Sequence, residues 1–334
     1  MYCRNPPPPQ HGGRLRATAH DFRIPLQHWL DLSTGINPLG WPVPTVPDEV
    51  WQRLPEEDDG LRMATLAYFG GATILPVAGS QAAIQGLPQL MPPRRVAILS
   101  PCYAEHEYGW RSAGHQVDAI DYVEAAQAAK HYDVLVLTNP NNPSGRVTER
   151  STLLEWHHHL NARGGLLLVD EAFIDADSTH SLIADAHQPG LVVLRSLGKF
   201  FGLAGVRCGF VAAEPALLEA LAAQLGPWAV SHPARWVAQR ALADRAWQAH
   251  ATTQLHEASE RLATLLARYG LPSQSGCAFF RWVRHAAPDA LFQAFARQAI
   301  LVRHFPEHGG LRFGLPKTEA DWQKLEGVLQ EVMG

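Results

Sequence analysis

Short apolar runs alternate with helix-like stretches through the first two thirds of the chain. Four of these runs, VAIL, VLVL, LLLV and LVVL, contain no polar residue and are followed by polar or turn-forming residues. Apolar runs of this length are typical of strands that are buried on both faces. Together with strands around residues 116–120 and at Arg207, they predict about seven strands alternating with helices. The expectation is an α/β fold whose mostly parallel sheet carries helices on both faces.

The pattern changes after about residue 230. An Ala-, Arg- and Gln-rich stretch over 233–269 predicts one or two helices, and the runs CAFFRWV, ILVRHF and LRFGL alternate like strands. We therefore predict a large domain over 43–230 and a smaller α+β domain over 231–334. Residues 1–42 are rich in proline and glycine, and we expect them to form an arm that packs with the small domain and the active site.

Composition excludes several classes of protein. With 334 residues and 46% hydrophobic content, the chain can bury a large core, and a formal net charge of −4 disfavours nucleic acid as a partner. The four cysteines are scattered without a CxxC motif, which favours a reducing compartment. No apolar run approaches a membrane span or a signal-peptide core, so a cytoplasmic location is expected. The histidines at 157–159 fit a solvated helix face better than a metal site.

Polar residues follow three of the buried runs. Asn142 lies in NPNNPSG after one run, Asp170 ends another, and Lys199 lies between Gly198 and two phenylalanines after a third. Ligands of open α/β sheets bind at the carboxyl ends of the strands. An amine in an apolar turn is poorly solvated, so it loses its proton more readily and becomes available as a nucleophile. The alternative for Lys199 alone is a surface lysine in an ordinary turn.

The motifs NPNNPSG, DEAF and SLGKFFGLAGVR, taken in this order, resemble those of the fold-type I pyridoxal-phosphate (PLP) enzymes, in the class I/II aminotransferase branch. The resemblance implies the PLP-dependent transferase fold, which is also called aspartate aminotransferase-like. It also implies pyridoxal 5'-phosphate as the cofactor and a homodimer whose active sites draw residues from both subunits.

The resemblance assigns roles to individual residues. Lys199 matches the lysine that binds the cofactor covalently and later moves protons at the substrate, and Asp170 matches the acid beside the pyridine nitrogen. Asn142 matches the donor to the phenolic oxygen. Ser196 and Arg207 match contacts to the cofactor phosphate, for which a bidentate guanidinium is well suited.

Two further elements of the cofactor site are expected upstream. Gly79, Ser80 and Gln81 form a small-residue turn before a helix, where free N–H groups can cradle a phosphate. An ordinary helix start is the alternative. Tyr103 falls where the family places an aromatic ring over the pyridine ring, which it stabilises by stacking.

Two positions depart from the family pattern. Many relatives have a tyrosine three residues after the pyridine acid, where this chain has Phe173, so one donor to the phenolic oxygen is lost. Relatives often carry Tyr-Pro in the arm that reaches the partner subunit's phosphate, where this chain has Leu54 and Pro55.

The arm carries a narrower resemblance. The runs HGGR and DLSTGINPLG are similar to those of threonine-phosphate decarboxylases of cobalamin biosynthesis, although Arg14 replaces an asparagine. This resemblance implies decarboxylation of L-threonine O-3-phosphate to (R)-1-aminopropan-2-yl phosphate. The alternative is an aminotransferase, such as one acting on histidinol phosphate, because the cofactor contacts would be the same. A non-catalytic regulator is disfavoured, since the chain has no length for a DNA-binding domain and keeps Lys199.

Substrate contacts are expected on the small domain and the arm. Arg312 matches the arginine that holds the α-carboxylate, and Arg303 matches a second basic residue near the distal group of the substrate. Surface arginines on strands are the alternative. Asn37 lies in a turn that can present N–H groups to an anion, and His11 is a candidate contact to a substrate phosphate unless the arm is simply mobile.

Overall fold

A computed structural model describes residue 9, residues 11–70 and residues 73–334 of the chain. The first eight residues and residue 10 of the expected arm lie outside this description. The described residues form two compact units. The first contains Pro9, 41–142 and 147–249, and the second contains 11–40, 143–146 and 250–334.

Helices and strands alternate through the described chain. The α-helices are α1 (Leu15–Phe22), α2 (Asp48–Gln52), α3 (Leu61–Tyr68), α4 (Ser80–Gly86), α5 (Glu105–Ser112), α6 (Ala125–His131), α7 (Arg150–Asn161), α8 (Pro215–Leu225), α9 (His232–Ala243), α10 (Arg245–Arg268), α11 (Pro288–Arg297) and α12 (Glu319–Met333). The strands are β1 (Leu30–Leu32), β2 (Ile74–Val77), β3 (Arg95–Leu99), β4 (Gln116–Ile120), β5 (Val134–Thr138), β6 (Leu166–Asp170), β7 (Leu191–Ser196), β8 (Gly209–Ala212), β9 (Ser275–Cys277), β10 (Phe280–Arg284), β11 (Ile300–Phe305) and β12 (Gly310–Gly314). Short 3-10 helices lie at Leu26–His28, Leu87–Leu90, Tyr122–Glu124, Ser178–His180, Ile183–Asp185, Ala204–Val206 and Pro306–His308.

The first unit is built on a seven-stranded sheet with the order β2-β8-β7-β6-β5-β3-β4. The strands from β7 to β4 in this order pair in parallel, whereas β8 pairs antiparallel with both β7 and β2. The predicted mostly parallel, seven-stranded sheet is therefore confirmed.

Helices cover both faces of this sheet. Along β5, Val134 and Val136 belong to one apolar core with Trp110 of α5, whereas Leu135 belongs to a second core with Leu153 of α7. Every residue of β5 and β6 is buried, because successive side chains point to opposite faces and both faces are covered.

The predicted solvated face at residues 157–159 needs a correction. His157 is buried in α7, and its ring nitrogen Nε2 lies 2.9 Å from the carbonyl oxygen of Pro189. The pattern misled because Leu153, Trp156 and Leu160, at helical spacing around it, turn that side of α7 toward the core.

The second unit is built on a five-stranded sheet with the order β1-β11-β12-β10-β9. Its edge strand β1 comes from the N-terminal segment and pairs in parallel with β11, with Leu30 opposite Ile300. Helix α11 packs on β11 and β12, and α1 and α12 pack on α11. The arm expected over residues 1–42 thus supplies a strand that the sequence pattern did not predict.

Residues 231–249, which we assigned to the small domain, cluster instead with the first unit. Helix α9 packs against α2 and α3, and these contacts explain the difference. Among the described residues, no helix combines the length and the apolar character needed to cross a bilayer.

Candidate active site

The carboxyl ends of β5, β6 and β7 bring the main predicted residues to one edge of the sheet. Asp170 ends β6, opposite Thr138 of β5 and Leu194 of β7. Asn142 follows β5 by four residues, and Lys199 follows β7 by three. Parallel pairing places these chain ends side by side, as the sequence predicted.

Asp170 is buried, and both of its carboxylate oxygens have partners. Its Oδ1 accepts a hydrogen bond from the backbone N–H of Ala172 at 3.1 Å, and its Oδ2 lies 3.0 Å from Nε2 of His106. His106 is itself fully buried in α5. His106 matches no motif in the sequence, although its position three residues after Tyr103, at a helix start, was a signal that could have found it.

The loop after β5 is fixed by two asparagines. Asn139 exchanges hydrogen bonds with the backbone of Thr148: its Nδ2 donates to the carbonyl at 3.1 Å, and its Oδ1 accepts from the N–H at 2.8 Å. The Nδ2 of Asn141 donates to the carbonyl oxygen of Pro101 at 3.0 Å. These bonds close the loop that carries the half-buried Asn142.

Lys199 lies in the turn after β7 and is half-buried. Its carbonyl oxygen accepts from the N–H of Gly202 at 3.1 Å, and its Nζ lies 5.3 Å from the centroid of the Phe173 ring. Ser196 faces this turn, since its Oγ accepts from the N–H of Gly198 at 3.2 Å. The amine therefore lies against an aromatic face, where a tyrosine would have presented a hydroxyl group.

Gly79 and Arg207 form a close pair at the start of α4. Gly79 has a φ of +72°, and a Cβ atom there would lie 2.5 Å from Nη2 of Arg207. Because glycine has no side chain, it leaves room for the guanidinium in this position. Arg207 is exposed and donates to the carbonyl of Ala204 at 3.2 Å. Beside this pair, Ser80 begins α4, whose first N–H groups have no acceptor within the helix.

The side chain of Gln81, a residue of the predicted phosphate cradle, has two partners. Its Nε2 donates to the carboxylate of Glu105, and its Oε1 accepts from the hydroxyl of Tyr103 at 3.2 Å. Glu105 is buried in the first turn of α5. One short segment, from Tyr103 to His106, therefore supplies the aromatic ring, the partner of Gln81 and the partner of Asp170.

A buried network of charged side chains joins β7 to the segment that follows β6. Arg195 contacts the carboxylates of Glu171 and Asp175, and Glu171 also accepts from the hydroxyl of Ser181 at 2.6 Å and the N–H of Leu182 at 2.7 Å. Burial raises the pKa of Glu171 to about 7, although Arg195 and these two donors favour its charged form. The loss of water outweighs their effect at this depth.

The thiols of this structure are poor nucleophiles. Cys102, Cys208 and Cys277 are free. Burial raises the pKa of the Cys102 thiol, which also lies near the charge of Asp170, and burial raises the pKa of Cys208 and of Cys277 to about 12. Because thiolate is the reactive form, the site does not favour cysteine chemistry.

The second unit holds two arginines side by side. Arg303 of β11 and Arg312 of β12 are directly opposite across an antiparallel pair, so their side chains leave the same face of the sheet. The guanidinium of Arg312 lies 4.9 Å from the Phe280 ring and 5.9 Å from the Phe305 ring. Burial, with the charge of Arg303 as a second cause, lowers the pKa of Arg312 to about 10. Two adjacent cations at neutral pH favour a ligand with anionic groups.

The HGG segment packs beside Arg312 through Ser33. A Cβ atom on Gly12 would lie 2.6 Å from the carbonyl oxygen of Ser33, and the N–H of Gly13 donates to its Oγ at 2.8 Å. The same carbonyl oxygen accepts from Nη2 of Arg312 at 2.6 Å. His11, the next residue upstream, is half-buried.

The side chain of Asn37 stabilises the turn in which the sequence places this residue. Its side chain is buried, and its Oδ1 accepts from the N–H of Leu39 at 2.9 Å. This bond closes the turn at the end of the segment that includes β1.

Comparisons with known proteins agree with this architecture. Residues 28–325 match the family model described as aminotransferase class I and II. The threonine-phosphate decarboxylase of Pseudomonas aeruginosa is 52% identical over 96% of this chain and 97% of its own length, and that of a Sinorhizobium species is 39% identical over 96% and 97%. The crystal structure of histidinol-phosphate aminotransferase from Sinorhizobium meliloti, in complex with pyridoxal-5'-phosphate, superposes with a TM-score of 0.84 at 19% identity, covering 96% of this chain and 94% of that one. The predicted fold is thereby confirmed.

Proposed function

Because the chain belongs to the aminotransferase class I and II family, we propose that it is a PLP-dependent decarboxylase. Its substrate is L-threonine O-3-phosphate, and its product is (R)-1-aminopropan-2-yl phosphate, a building block of cobalamin. The observation that carries this conclusion is the full-length likeness to threonine-phosphate decarboxylases, at an identity well above that of the matching aminotransferases.

The residues of the first unit fit the chemical groups that PLP exposes. Lys199 offers an amine to the aldehyde, and the buried carboxylate of Asp170 suits a protonated ring nitrogen. For the phosphate, the pair formed by Gly79 and Arg207 leaves a guanidinium uncovered, with Ser80 beside it at a helix start. A Cβ atom at Gly79 would lie 2.5 Å from the guanidinium, so a larger residue there would displace the arginine side chain from this position.

When bound, PLP supplies an electron-withdrawing ring that takes up the electron pair left on the α-carbon as carbon dioxide departs. Asp170 keeps a proton on the ring nitrogen, since a buried carboxylate stabilises a neighbouring cation. His106 holds the carboxylate in place through its contact with Oδ2. Lys199 then delivers a proton to the α-carbon, which completes the replacement of carboxylate by hydrogen.

Substrate recognition is assigned to the paired arginines. L-Threonine O-3-phosphate carries a carboxylate and a phosphate, and Arg312 and Arg303 offer two guanidinium groups from neighbouring strands. In our proposal Arg312 binds the carboxylate and Arg303 the phosphate, with His11 as a further contact to the phosphate. The aromatic rings beside both arginines exclude water and strengthen the charge interactions.

A paired assay tests the reaction. The purified protein with PLP and L-threonine O-3-phosphate is expected to release carbon dioxide, with one aminopropanol phosphate formed for each molecule released. In a parallel reaction, histidinol phosphate and 2-oxoglutarate are expected to yield no glutamate. Glutamate without carbon dioxide would overturn the proposal and make the protein an aminotransferase. Lys199→Ala is the control, because it should abolish either activity together with the visible absorbance of the bound cofactor.

The two arginine roles are separated by truncated ligands. Aminopropanol phosphate lacks the carboxylate, and threonine lacks the phosphate. Replacing Arg303 with Gln should weaken binding of the first ligand and leave the second unchanged, whereas Arg312→Gln should do the reverse. The opposite result would exchange the two assignments.

We also propose that the chain forms a homodimer. Four large apolar side chains are exposed on or within four residues of α2, α3 and α9, and both α2 and α3 pack against α9. They are Trp51, Leu54, Met63 and Trp228. Exposed apolar side chains on neighbouring elements suit an interface with a second copy of this chain.

Sedimentation measurements test this assembly. The wild type should sediment as a dimer, and the double variant Trp51→Glu, Leu54→Glu as a monomer. Val123→Glu is the control, because Val123 is exposed but lies on a different segment of the unit. A monomeric wild type would contradict the proposal.

A cytoplasmic location completes the proposal. Its support is the free state of the thiols of Cys102, Cys208 and Cys277, because reducing compartments preserve free thiols. Cell fractionation with a tagged protein tests it, and recovery from an oxidising compartment would contradict it.

A further inference from the structure

A chain of hydrogen bonds connects a buried carboxylate to the aromatic residue of the cofactor site. The hydroxyl of Tyr103 donates to Oε1 of Gln81 at 3.2 Å, and Nε2 of Gln81 donates to the carboxylate of Glu105. Glu105 is buried in the first turn of α5, only two residues after Tyr103. Nothing in the sequence motifs pointed to Glu105.

The chemistry of the three side chains determines which of them donates and which accepts in each hydrogen bond. An ionised carboxylate can only accept hydrogen bonds, so the group of Gln81 that faces Glu105 must be its NH2 group. The carbonyl oxygen of Gln81 must then face Tyr103, and the tyrosine hydroxyl must donate to it. If the Gln81 amide were turned over, its oxygen would lie against the carboxylate of Glu105, which is repulsive.

The direction matters for the ring of Tyr103. A tyrosine hydroxyl can rotate, and here it donates to the Gln81 oxygen, whose orientation depends on the contact between Gln81 and Glu105. The ring is therefore fixed at its far end as well as at its backbone. A ring held in this way is organised for stacking before the cofactor arrives, which reduces the entropy lost on binding.

We propose that Glu105 is a positioning residue for the cofactor: through Gln81 it sets the orientation of Tyr103. This inference rests on the proposed function only in taking PLP as the ligand over which Tyr103 stacks. It concerns binding of the cofactor and is independent of the reaction that follows.

A double-mutant cycle tests the proposal. Glu105→Gln keeps the size of the side chain but can both donate and accept, so the Gln81 amide loses its fixed orientation. The PLP dissociation constant should rise about fivefold, as expected for one neutral hydrogen bond. In a Tyr103→Phe background, which lacks the hydroxyl, the same substitution should leave the constant unchanged. Equal effects in both backgrounds would overturn the proposal.

A spectroscopic measurement separates positioning from a merely structural role. The visible circular dichroism of bound PLP depends on the asymmetry of the rings around it, so it should weaken in Glu105→Gln. Glu107→Gln is the matched control, because Glu107 lies on the same helix but is half exposed and pairs with Arg111. A change of equal size in the control would contradict the inference.

Two further measurements keep the test decisive. If Glu105→Gln does not fold, Gln81→Ala removes the central link and should raise the PLP dissociation constant by a similar factor. If the wild-type protein binds no PLP, the proposed function fails, but the hydrogen bonds from Glu105 through Gln81 to Tyr103 can still be tested in the cofactor-free protein. The ¹³C ring resonance of Tyr103, identified by its loss in Tyr103→Phe, should then shift in Glu105→Gln and not in Glu107→Gln. An unshifted resonance would overturn the proposal.

Discussion

The Nζ atom of Lys199 lies 5.3 Å from the centroid of the Phe173 ring, so the amine of the proposed catalytic lysine faces an aromatic surface. Phe173 is buried and lies three residues after Asp170. A hydroxyl at this position would instead offer a hydrogen-bond donor near the amine. The pair therefore gives the amine of Lys199 an apolar neighbour at this position.

Replacing Phe173 with Tyr should change the titration of the bound cofactor. A hydroxyl donor to the phenolic oxygen would favour its deprotonated form, and should lower the spectroscopic pKa of the lysine-bound chromophore by about one unit. Absorbance measured as a function of pH checks this result. Phe22→Tyr, in α1 of the other unit, should have no effect. An unchanged or higher pKa in Phe173→Tyr would show that the ring does not approach the phenolic oxygen.

Asp170→Asn should reduce the rate without unfolding the protein. The amide keeps the shape of the side chain and can still accept from the N–H of Ala172, but it loses the charge that holds a proton on the ring nitrogen. We expect kcat to fall by on the order of 10²-fold or more, a size typical of lost electrostatic stabilisation. Asp118→Asn, which alters a contact with Tyr132 elsewhere on the unit, is the control. Full activity in Asp170→Asn would exclude the assigned role.

Arg312→Lys should weaken substrate binding although it keeps the positive charge of the side chain. Lysine lacks the planar fork that binds a carboxylate with two hydrogen bonds, so KM for L-threonine O-3-phosphate should rise about 10- to 100-fold. Arg297→Lys, at an exposed arginine of α11, should match the wild type. Steady-state kinetics check both variants, and an unchanged KM in Arg312→Lys would argue that this guanidinium does not touch the substrate.

Gly145→Ala should be among the most destabilising single substitutions in the second unit. Gly145 has a φ of +70°, and a Cβ atom there would lie 2.2 Å from the backbone carbon of Gly276. Backbone cannot move aside as a flexible side chain can, so we expect a loss of about 3 kcal/mol in the free energy of unfolding.

Gly164→Ala is the matched control for that substitution. Gly164 has a similar φ of +68°, but a Cβ atom there would meet nothing within 4 Å. Its cost should be that of the backbone conformation alone, about 1 kcal/mol. Thermal unfolding of both variants measures the difference. Equal costs would mean that the close approach to Gly276 relaxes freely.

Glu171 should give the stability a pH dependence. Its pKa rises on folding from an ordinary value of 4.5 to about 7, mainly because of burial. Between these two values the native state keeps a proton that the unfolded state releases, so stability falls as the pH rises through this window. The contribution of Glu171 is therefore present below about pH 4.5 and is lost by about pH 7, with a size on the order of 3 kcal/mol.

Comparison with Glu171→Gln isolates this effect. The variant cannot titrate, so its stability relative to the wild type should improve as the pH rises from about 4.5 to about 7. Glu331→Gln, at an exposed position of α12, is the control for the removal of one carboxylate. A difference between wild type and Glu171→Gln that does not change with pH would show that Arg195 keeps Glu171 charged throughout.

The residues themselves determined the architecture of the first unit and the position of its main polar groups. Strands buried on both faces can be identified in a sequence as short apolar runs, and parallel pairing places their carboxyl ends at one edge of the sheet. Asp170, Asn142 and Lys199 could therefore be placed together without coordinates. Their cofactor roles came from the motif resemblance, because no local pattern specifies PLP.

Contacts between elements that are distant in sequence were decided only by the tertiary structure. His106 meets Asp170, and Glu105 meets Gln81, because α5 packs with one particular rotation beside α4 and the sheet. Arg303 lies opposite Arg312 because of the register between two strands, which a shift of one residue would destroy. Helix rotation and strand register depend on packing summed over many side chains. For that reason the sequence pattern predicted most of the strands and helices but not the edge strand β1, while the packing of the elements decided which side chains meet.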